Sequence, residues 1–352
     1  MLDQINTLFK ENIEKGYNAM NAKERVMNVL NHQKSDHMPC FGANSTVTYD
    51  QMEKVQAFWP DAHFNGEAMA KQAMAAYSVL GFDAVRVPFC QTFEAEALGC
   101  ELKPGGTEGI PGIEPRPLYK IDDTPKLPDD FLSRGRIPAL LKAVRILKKE
   151  IGDDVPIIGG IQGAFSIAGA LLETIFILKA TIKAPEKIPA FLEVGEKAGT
   201  LLGQALIDAG ADIISCEDMG SSPAMLTPQI YQEIVLEYQQ RQFAALSVPK
   251  ILHSCGKVDP IVAWMGQTGA DVLSIEPKAS VQTARKKCGA DIILMGGADT
   301  ATSLFFNSPE EIKIDCEAMI ADGIQILAPG CAVAPGTPLE NLLALTEVAR
   351  AH

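Results

Sequence analysis

The stretch ADIISCED, residues 211–218, is a short apolar run that ends in polar and reactive side chains. Its apolar part is nearly continuous, which is typical of a strand buried on both faces of a sheet. Cys216, Glu217 and Asp218 follow at its carboxyl end. The stretch therefore predicts a parallel sheet covered by helices, with the chemistry gathered where the strands end.

Seven further runs of this kind occur along the chain, and helical segments separate them. The runs are MPCFGAN (38–44), FDAVRVPF (82–89), VPIIGGIQG (155–163), PKILHSC (249–255), ADVLSIEP (270–277), DIILMGGAD (291–299) and IQILAPGC (324–331). Eight strands alternating with helices predict an α/β fold of the (β/α)8 barrel type. A doubly wound open sheet is the alternative, although no G-x-G-x-x-G follows an early strand and no phosphate-binding loop G-x-x-x-x-G-K-[ST] is present.

Two segments fall outside the alternation. Residues 1–36 predict an N-terminal helical extension, in which the first 20 or so residues form one helix and NAKERVMNVLNHQ (21–33) forms a second. Asn21 and Glu24 have the spacing of a capping box at the start of that second helix. The segment 90–136, which is rich in Pro and Gly, predicts a long excursion over the barrel mouth after the second strand. Residues 37–352 would then form a single catalytic barrel.

The composition excludes several classes of function. The net charge of −13 argues against nucleic acid and against an anionic membrane surface as partners, since both favour a basic footprint. The most apolar long stretch, residues 164–184, is interrupted by Glu173, Lys179 and Lys183, so it predicts a buried helix rather than a membrane span. The first 15 residues resemble no signal peptide. The eight cysteines are therefore expected as thiols in a reducing cytoplasm.

The ends of the predicted strands carry a candidate metal site. His253 and Cys255 lie two residues apart on the fifth strand, so their side chains point the same way. Cys331 ends the eighth strand and could reach the same point. One imidazole and two thiolates make three of the four tetrahedral ligands of a catalytic zinc. A buried pair without chemistry and a thiol nucleophile with a histidine base are the alternatives.

Carboxylates end three of the other strands. Glu276 follows the sixth strand and could fill the fourth zinc position when no substrate is bound, or it could be a salt-bridge partner. Asp218 and Asp299 end the fourth and seventh strands. Glu276 and Asp218 are the candidate catalytic acids and Asp299 a candidate substrate contact, with helix capping or a surface position as the alternative for both aspartates.

Several motifs along the chain resemble the uroporphyrinogen decarboxylase superfamily, and within it the methylcobamide:coenzyme M methyltransferases. They are MEKVQAFWPDAHFNGEAMAK, GFDAVRVPFC, GRIPALLKAVRILKKEIGDDVPIIGG, ALIDAGAD, ILHSCGKVDPIV, LSIEPK and ILAPGCAVAPGTPLENL, which together span roughly residues 23–350. The resemblance implies a barrel with one zinc held by His253, Cys255 and Cys331, and with Glu276 as an extra ligand. The decarboxylases carry an arginine-rich segment after the first strand, whereas this chain reads CFGANSTVTYDQ there, with no arginine.

The resemblance also implies a reaction. The zinc would activate a thiol, most simply coenzyme M, and the thiolate would take a methyl group from a methylated corrinoid. A corrinoid is too large for a side-chain pocket, so a separate carrier protein would bring it to the barrel mouth. Arg86 and Lys257 are the candidate cations for a substrate sulfonate. Tetrahydrofolate as the acceptor, loading of the corrinoid from a methyl donor, porphyrinogen decarboxylation and a non-catalytic zinc protein are the rival functions.

Overall fold

A parallel sheet that curls on itself forms the centre of the computed structural model, which describes residues 20–352. The helix expected within the first 20 residues lies outside the described residues. The strands of this sheet pair in the order β1-β4-β5-β6-β7-β8-β9. They are β1 Val85–Val87, β4 Ile157–Gln162, β5 Ile213–Glu217, β6 Lys250–His253, β7 Val272–Ser274, β8 Ile293–Gly296 and β9 Ile326–Leu327. A small hairpin of β2 Leu102–Lys103 and β3 Gly112–Ile113 lies apart from it.

The segment around Cys40 closes the sheet into a barrel. Cys40 forms a single parallel bridge with Leu327 of β9, and the amide of Asp83, just before β1, donates to the Cys40 carbonyl at 2.7 Å. The eight-stranded barrel is thus confirmed, although the predicted first strand is only one bridge long. Pro39, which has no amide hydrogen, and Gly42 flank this bridge and shorten the ladder.

Helices surround the barrel. They are α1 Ala22–Leu30, α2 Tyr49–Val55, α3 Gly66–Ser78, α4 Phe93–Leu98, α5 Ile137–Ile151, α6 Ala164–Leu172, α7 Thr174–Lys183, α8 Ile188–Ala209, α9 Pro228–Ile230, α10 Leu236–Ala244, α11 Val262–Met265, α12 Val281–Cys288, α13 Ser303–Phe306, α14 Pro309–Asp322 and α15 Leu339–Ala349. A π-helical turn, Tyr231–Val235, joins α9 to α10. The predicted insertion after the second strand contains α4 and the β2–β3 hairpin.

Helix α1 covers the end of the barrel at which the strands begin. Its capping box is confirmed, because the Asn21 side chain accepts from the Glu24 amide and Glu24 accepts from the Asn21 amide. The Arg25 guanidinium bonds Asp83, just before β1, at 2.6 Å. Lys23 bonds Asp212, just before β5, also at 2.6 Å. These contacts bind α1 to the amino ends of two separate strands, and a domain boundary near residue 36 stays a prediction.

The single buried helix predicted over residues 164–184 is wrong in one respect. Glu173 has a positive φ of 66° with ψ of 133°, a conformation outside the helical regions, which ends α6 and redirects the chain into α7. Helix α6 is buried, whereas α7 exposes Ile175, Phe176 and Ile182. No single described helix is long and apolar enough to cross a membrane; α6 and α7 reach that length and apolar character only together, and they are bent by 105° relative to each other.

Candidate metal centre

His253, the last residue of β6, points into the barrel and is fully buried. The strand register sets Ser274 of β7 beside it, and the His253 Nδ1 atom lies 3.1 Å from the Ser274 hydroxyl. When Nδ1 carries the proton and donates it to Ser274, the lone pair on Nε2 is free for a metal. That Nε2 atom faces the Cys255 sulfur at 3.6 Å.

Cys255, which follows β6, and Cys331, which follows β9, place their sulfur atoms close together although 76 positions separate them in the sequence. Their Sγ atoms lie 3.8 Å apart, and both residues are free thiols. Zinc bonds of about 2.3 Å to sulfur and about 2.0 Å to nitrogen, at tetrahedral angles, would separate two sulfurs by about 3.8 Å and a sulfur from a nitrogen by about 3.5 Å. The three side chains therefore already have the spacing of three corners of a zinc tetrahedron.

Glu276 supplies a fourth ligand atom. One ligand atom each from His253, Cys255, Glu276 and Cys331 lies within 4.8 Å of the other three. The Glu276 carboxylate is itself held on both sides: Oε1 accepts from the Gly256 amide at 2.7 Å, and Oε2 accepts from Lys278 at 3.2 Å. Gly256 has φ of 79°, so a residue with a side chain would strain the turn that presents this amide. We call these four residues the quartet.

The two thiols of the quartet share one proton unequally. A hydrogen bond from Cys255, together with His253 nearby, lowers the pKa of Cys331 to about 4, although burial opposes this shift. The hydrogen bond to Cys331 and burial raise the pKa of Cys255 well above its usual value. The Asn44 side-chain amide also lies 3.6 Å from the Cys331 sulfur. The site thus stabilises thiolate, which is the form that binds a metal.

The imidazole responds to the negative groups around it. Burial alone would lower the pKa of His253, but the Cys331 thiolate and the carboxylates of Glu217 and Glu276 outweigh it and raise that pKa. An electron-rich pocket of this kind attracts a cation.

Arg86 of β1 and Glu217 of β5 form a buried ion pair inside the barrel. The Arg86 guanidinium bonds the Glu217 carboxylate and the Pro88 carbonyl. Gly160 of β4 makes room for it, because a Cβ atom there would meet the guanidinium at 2.3 Å. Arg86 was predicted as a substrate contact, and its Nε is the guanidinium nitrogen without a partner among the described residues. Glu217 lies opposite His253 in the strand register.

The other predicted site residues lie around the quartet and not in it. Asp218 is fully buried, where it accepts from the Ser166 amide at 3.0 Å and from Gln239 at 2.8 Å, and these contacts fix the loop after β5. Asp299 accepts from the amide of Thr302 at 2.9 Å and pairs with Lys278 at 3.1 Å. Lys257 is exposed and forms no ion pair with another described residue.

Four residues that shape this site were not singled out from the sequence as site residues: Asn44, Glu217, Ser274 and Lys278. Glu217 could have been found from the sequence, because it is a carboxylate at the end of a predicted strand, where side chains alternate between the barrel interior and the helices. Lys278 carried a weaker signal, as the cation two residues after Glu276. Asn44 and Ser274 are short polar residues whose role depends on contacts distant in sequence.

Residues 61–66, DAHFNG, also fit the pattern D-x-H-x-x-G, in which a histidine can bind a corrinoid. His63 is fully buried against Trp59 and Phe89. Burial and the nearby Arg136 charge lower its pKa to about 3. A neutral histidine enclosed by aromatic rings is packed in the core and cannot reach a corrinoid, so the motif does not make this chain a corrinoid carrier.

The fold and the quartet define a class, a (β/α)8 barrel with nitrogen, sulfur and carboxylate ligands at its mouth. Comparison with known proteins then identifies the family. The chain belongs to the uroporphyrinogen decarboxylase family, whose model matches residues 21–352, and within it to the methyltransferase branch.

Two relatives and one solved structure support that placement. The chain is 36% identical over 324 residues to the methylcobamide:CoM methyltransferase MtaA of Methanosarcina barkeri, a match that covers 92% of this chain and 96% of that protein. It is 33% identical to the methylcobamide:CoM methyltransferase MtbA of Methanosarcina mazei, over 93% of this chain and 97% of that protein. A solved methyltransferase from Methanosarcina mazei superposes with a TM-score of 0.89 at 33% identity, covering 94% of this chain and 98% of that one.

Proposed function

We propose that this protein holds one zinc ion on His253, Cys255 and Cys331 and transfers a methyl group from a methylated corrinoid to a thiol. The observation that carries the proposal is the spacing of the three ligand atoms, 3.6 Å from nitrogen to sulfur and 3.8 Å between the sulfurs. A buried pair without chemistry does not need a third soft ligand from another strand at that distance. A thiol nucleophile with its base does not need a second thiol.

Zinc in this position would hold a substrate thiol as its thiolate at neutral pH. The residues of the chain set how reactive that thiolate is. Two cysteine thiolates balance the charge of the ion, and a neutral His253 adds none, so electron density stays on the substrate sulfur. Ser274 orients the imidazole, and Asn44 lies against the Cys331 sulfur. With a methylated corrinoid as co-substrate, a carbon–sulfur bond would form to the thiolate as the cobalt–carbon bond breaks, and the electron pair of the broken bond would stay on cobalt as Co(I).

Coenzyme M is the proposed acceptor. Two relatives are known as methylcobamide:CoM methyltransferases, which supports this acceptor. The segment after Cys40 has no arginine, which argues against a porphyrinogen with many carboxylates as the substrate. Lys257, exposed just past Cys255, and the free Arg86 Nε are the proposed contacts for a sulfonate, and Asp299 is a proposed substrate contact. Asp218, predicted as a catalytic acid, is proposed instead as a positioning residue, because it is buried and fixes the loop after β5.

We propose that the corrinoid arrives on a separate carrier protein that docks over the barrel mouth. A cavity of about 480 Å³ supports this, because residues after β4 and β5 line it together with Ile113, Glu114 and Pro115 of the insertion. Met219 and Met225, at its rim, are 39% and 50% exposed. We also propose a cytoplasmic location, where the thiolates stay reduced.

The reaction is tested by methyl transfer from free methylcobalamin to three acceptors, namely coenzyme M, homocysteine and tetrahydrofolate. We expect methylation of coenzyme M with the absorbance of cob(I)alamin appearing under anoxic conditions. Binding of the thiol should release about one proton, counted by calorimetry in buffers of different ionisation enthalpy. Transfer to tetrahydrofolate alone, without proton release on thiol addition, would replace this proposal with the folate-linked reaction.

Glu276→Gln should retain zinc and change activity. The amide keeps the shape of the side chain and removes its charge, so the three soft ligands still hold the ion while the exchangeable position is altered. Metal content and methyl transfer are measured on the same preparation. If Glu276→Gln loses zinc as completely as a cysteine variant does, Glu276 is a permanent ligand and the open-site proposal fails.

A further inference from the structure

Lys278 forms an ion pair with Glu276 of the quartet and a second ion pair with Asp299. Its ammonium lies 3.2 Å from Glu276 Oε2 and 3.1 Å from Asp299 Oδ2. The side chain of Glu276 is only 10% exposed, whereas that of Lys278 is 55% exposed. Lys278 therefore reaches from solvent to a carboxylate that is nearly buried.

The second hold on Glu276 comes from the backbone. The Gly256 amide, one residue past Cys255, donates to Oε1 at 2.7 Å. Both carboxylate oxygens are thus engaged by donors of the protein while the carboxylate still lies within 4.8 Å of the other ligand atoms. A carboxylate held in this way can bind a metal or move away from it while it keeps a hydrogen bond to Gly256 or Lys278.

The negative charges at the site explain why Glu276 needs the donors Gly256 and Lys278. A thiolate that enters the site is negative, and it replaces a carboxylate that remains close by. Two negative groups at that distance repel each other unless a cation lies between them or beside one of them. Asp299 adds a further negative charge and fixes the direction of the lysine, since its carboxylate is itself held by Ala301 and Thr302.

We infer that Lys278 is a positioning residue that draws Glu276 away from the metal position and lets an anionic thiol take its place. The inference rests on the proposed function, because it assigns a role to Glu276 as an exchangeable ligand. Lys278 acts on the substrate only through Glu276. Without the lysine, the carboxylate would compete more strongly with the incoming thiol.

Thiol binding to the Co²⁺-loaded protein tests this without using activity, because each new thiolate ligand strengthens the sulfur-to-cobalt charge-transfer absorption. For Lys278→Met we expect the apparent Kd of coenzyme M to rise roughly five- to tenfold, as for the loss of a partly buried charged hydrogen bond. A neutral thiol, 2-mercaptoethanol, should be weakened by a similar factor, and Lys278→Arg should restore most of the binding.

Two comparisons isolate the role of Glu276. Lys142→Met is the matched control, because Lys142 is 56% exposed and pairs with Glu67 at 2.8 Å far from the quartet, and it should leave thiol binding unchanged. In a Glu276→Gln background, adding Lys278→Met should have no further effect.

Several results would overturn the inference. An undiminished effect of Lys278→Met in the Glu276→Gln background would show that the lysine acts elsewhere. Weakened binding of coenzyme M alone, with 2-mercaptoethanol unaffected, would make Lys278 a direct contact for the sulfonate. Failure of the wild-type protein to bind Co²⁺ or Zn²⁺ would instead contradict the proposed function, so the two failures are separable.

Discussion

Cys331→Ala is expected to lower zinc affinity by more than about a hundredfold, since changes to groups that merely orient metal ligands already cost about 10- to 100-fold. The variant removes one of two thiolates and leaves only His253, Cys255 and the exchangeable carboxylate of Glu276 to hold the ion. Cys255→Ala should behave in the same way. Metal content of gently purified protein and competition with a chromogenic chelator provide the measurement.

Cys288→Ala is the control for this experiment. Cys288 is also a half-buried free thiol, but its sulfur lies 3.1 Å from the Val262 carbonyl and outside the quartet. The Cys288→Ala variant should bind about one zinc per chain, as the wild-type protein should. Thermal unfolding of each variant separates loss of the site from loss of the fold. Wild-type zinc affinity in Cys331→Ala would refute the ligand assignment.

The second large effect is on stability. Arg86→Met should lower the free energy of unfolding by about 3–5 kcal/mol, because it leaves the Glu217 carboxylate buried without its cation. The side chains of Arg86 and Glu217 are 6% and 0% exposed. Denaturant unfolding at neutral pH gives the value.

An exposed pair provides the comparison. Arg116 and Glu101 lie 3.0 Å apart with side chains 78% and 61% exposed, so Arg116→Met should change the free energy of unfolding by less than about 1 kcal/mol. The double variant Arg86→Met with Glu217→Gln should recover part of the loss, because no buried charge is then left unpaired. An Arg86→Met protein as stable as the wild type would mean that water or another cation reaches Glu217.

The elements that the sequence predicted are those with local signals. The apolar runs at 211–218 and 249–255 form β5 and β6, and the capping-box spacing of Asn21 and Glu24 begins α1. The run 38–44 had the same apolar character, yet it forms one bridge at Cys40. Pro39 and Gly42 shorten its ladder with β9, and an apolar pattern alone does not show which residues of such a run will pair.

The residues of the metal site also divide into those with a local sequence signal and those without one. His253 and Cys255 could be paired from their spacing, because a strand fixes which side chains share a face. The contacts around the site join residues that are far apart in the chain: Asn44 lies 287 residues from Cys331, and Arg86 lies 131 residues from Glu217. Lys278 lies close in sequence to Glu276, but its contact with Asp299 depends on how two strand-end loops meet.

Helix α1, bound by Arg25 and Lys23 to the amino ends of the strands, has a consequence for the order of events. The helix lies over the end of the barrel opposite the quartet, and side chains fill the interior of a barrel of this type. Among residues 20–352, the open end of the barrel is then the mouth where the quartet lies, and a carrier protein docked there, as proposed, would block it. Under the proposed function, the small thiol is expected to bind before the carrier protein and the methylated thiol to leave after it. Steady-state kinetics should then show an ordered mechanism in which the methylated thiol and the thiol compete for the free enzyme.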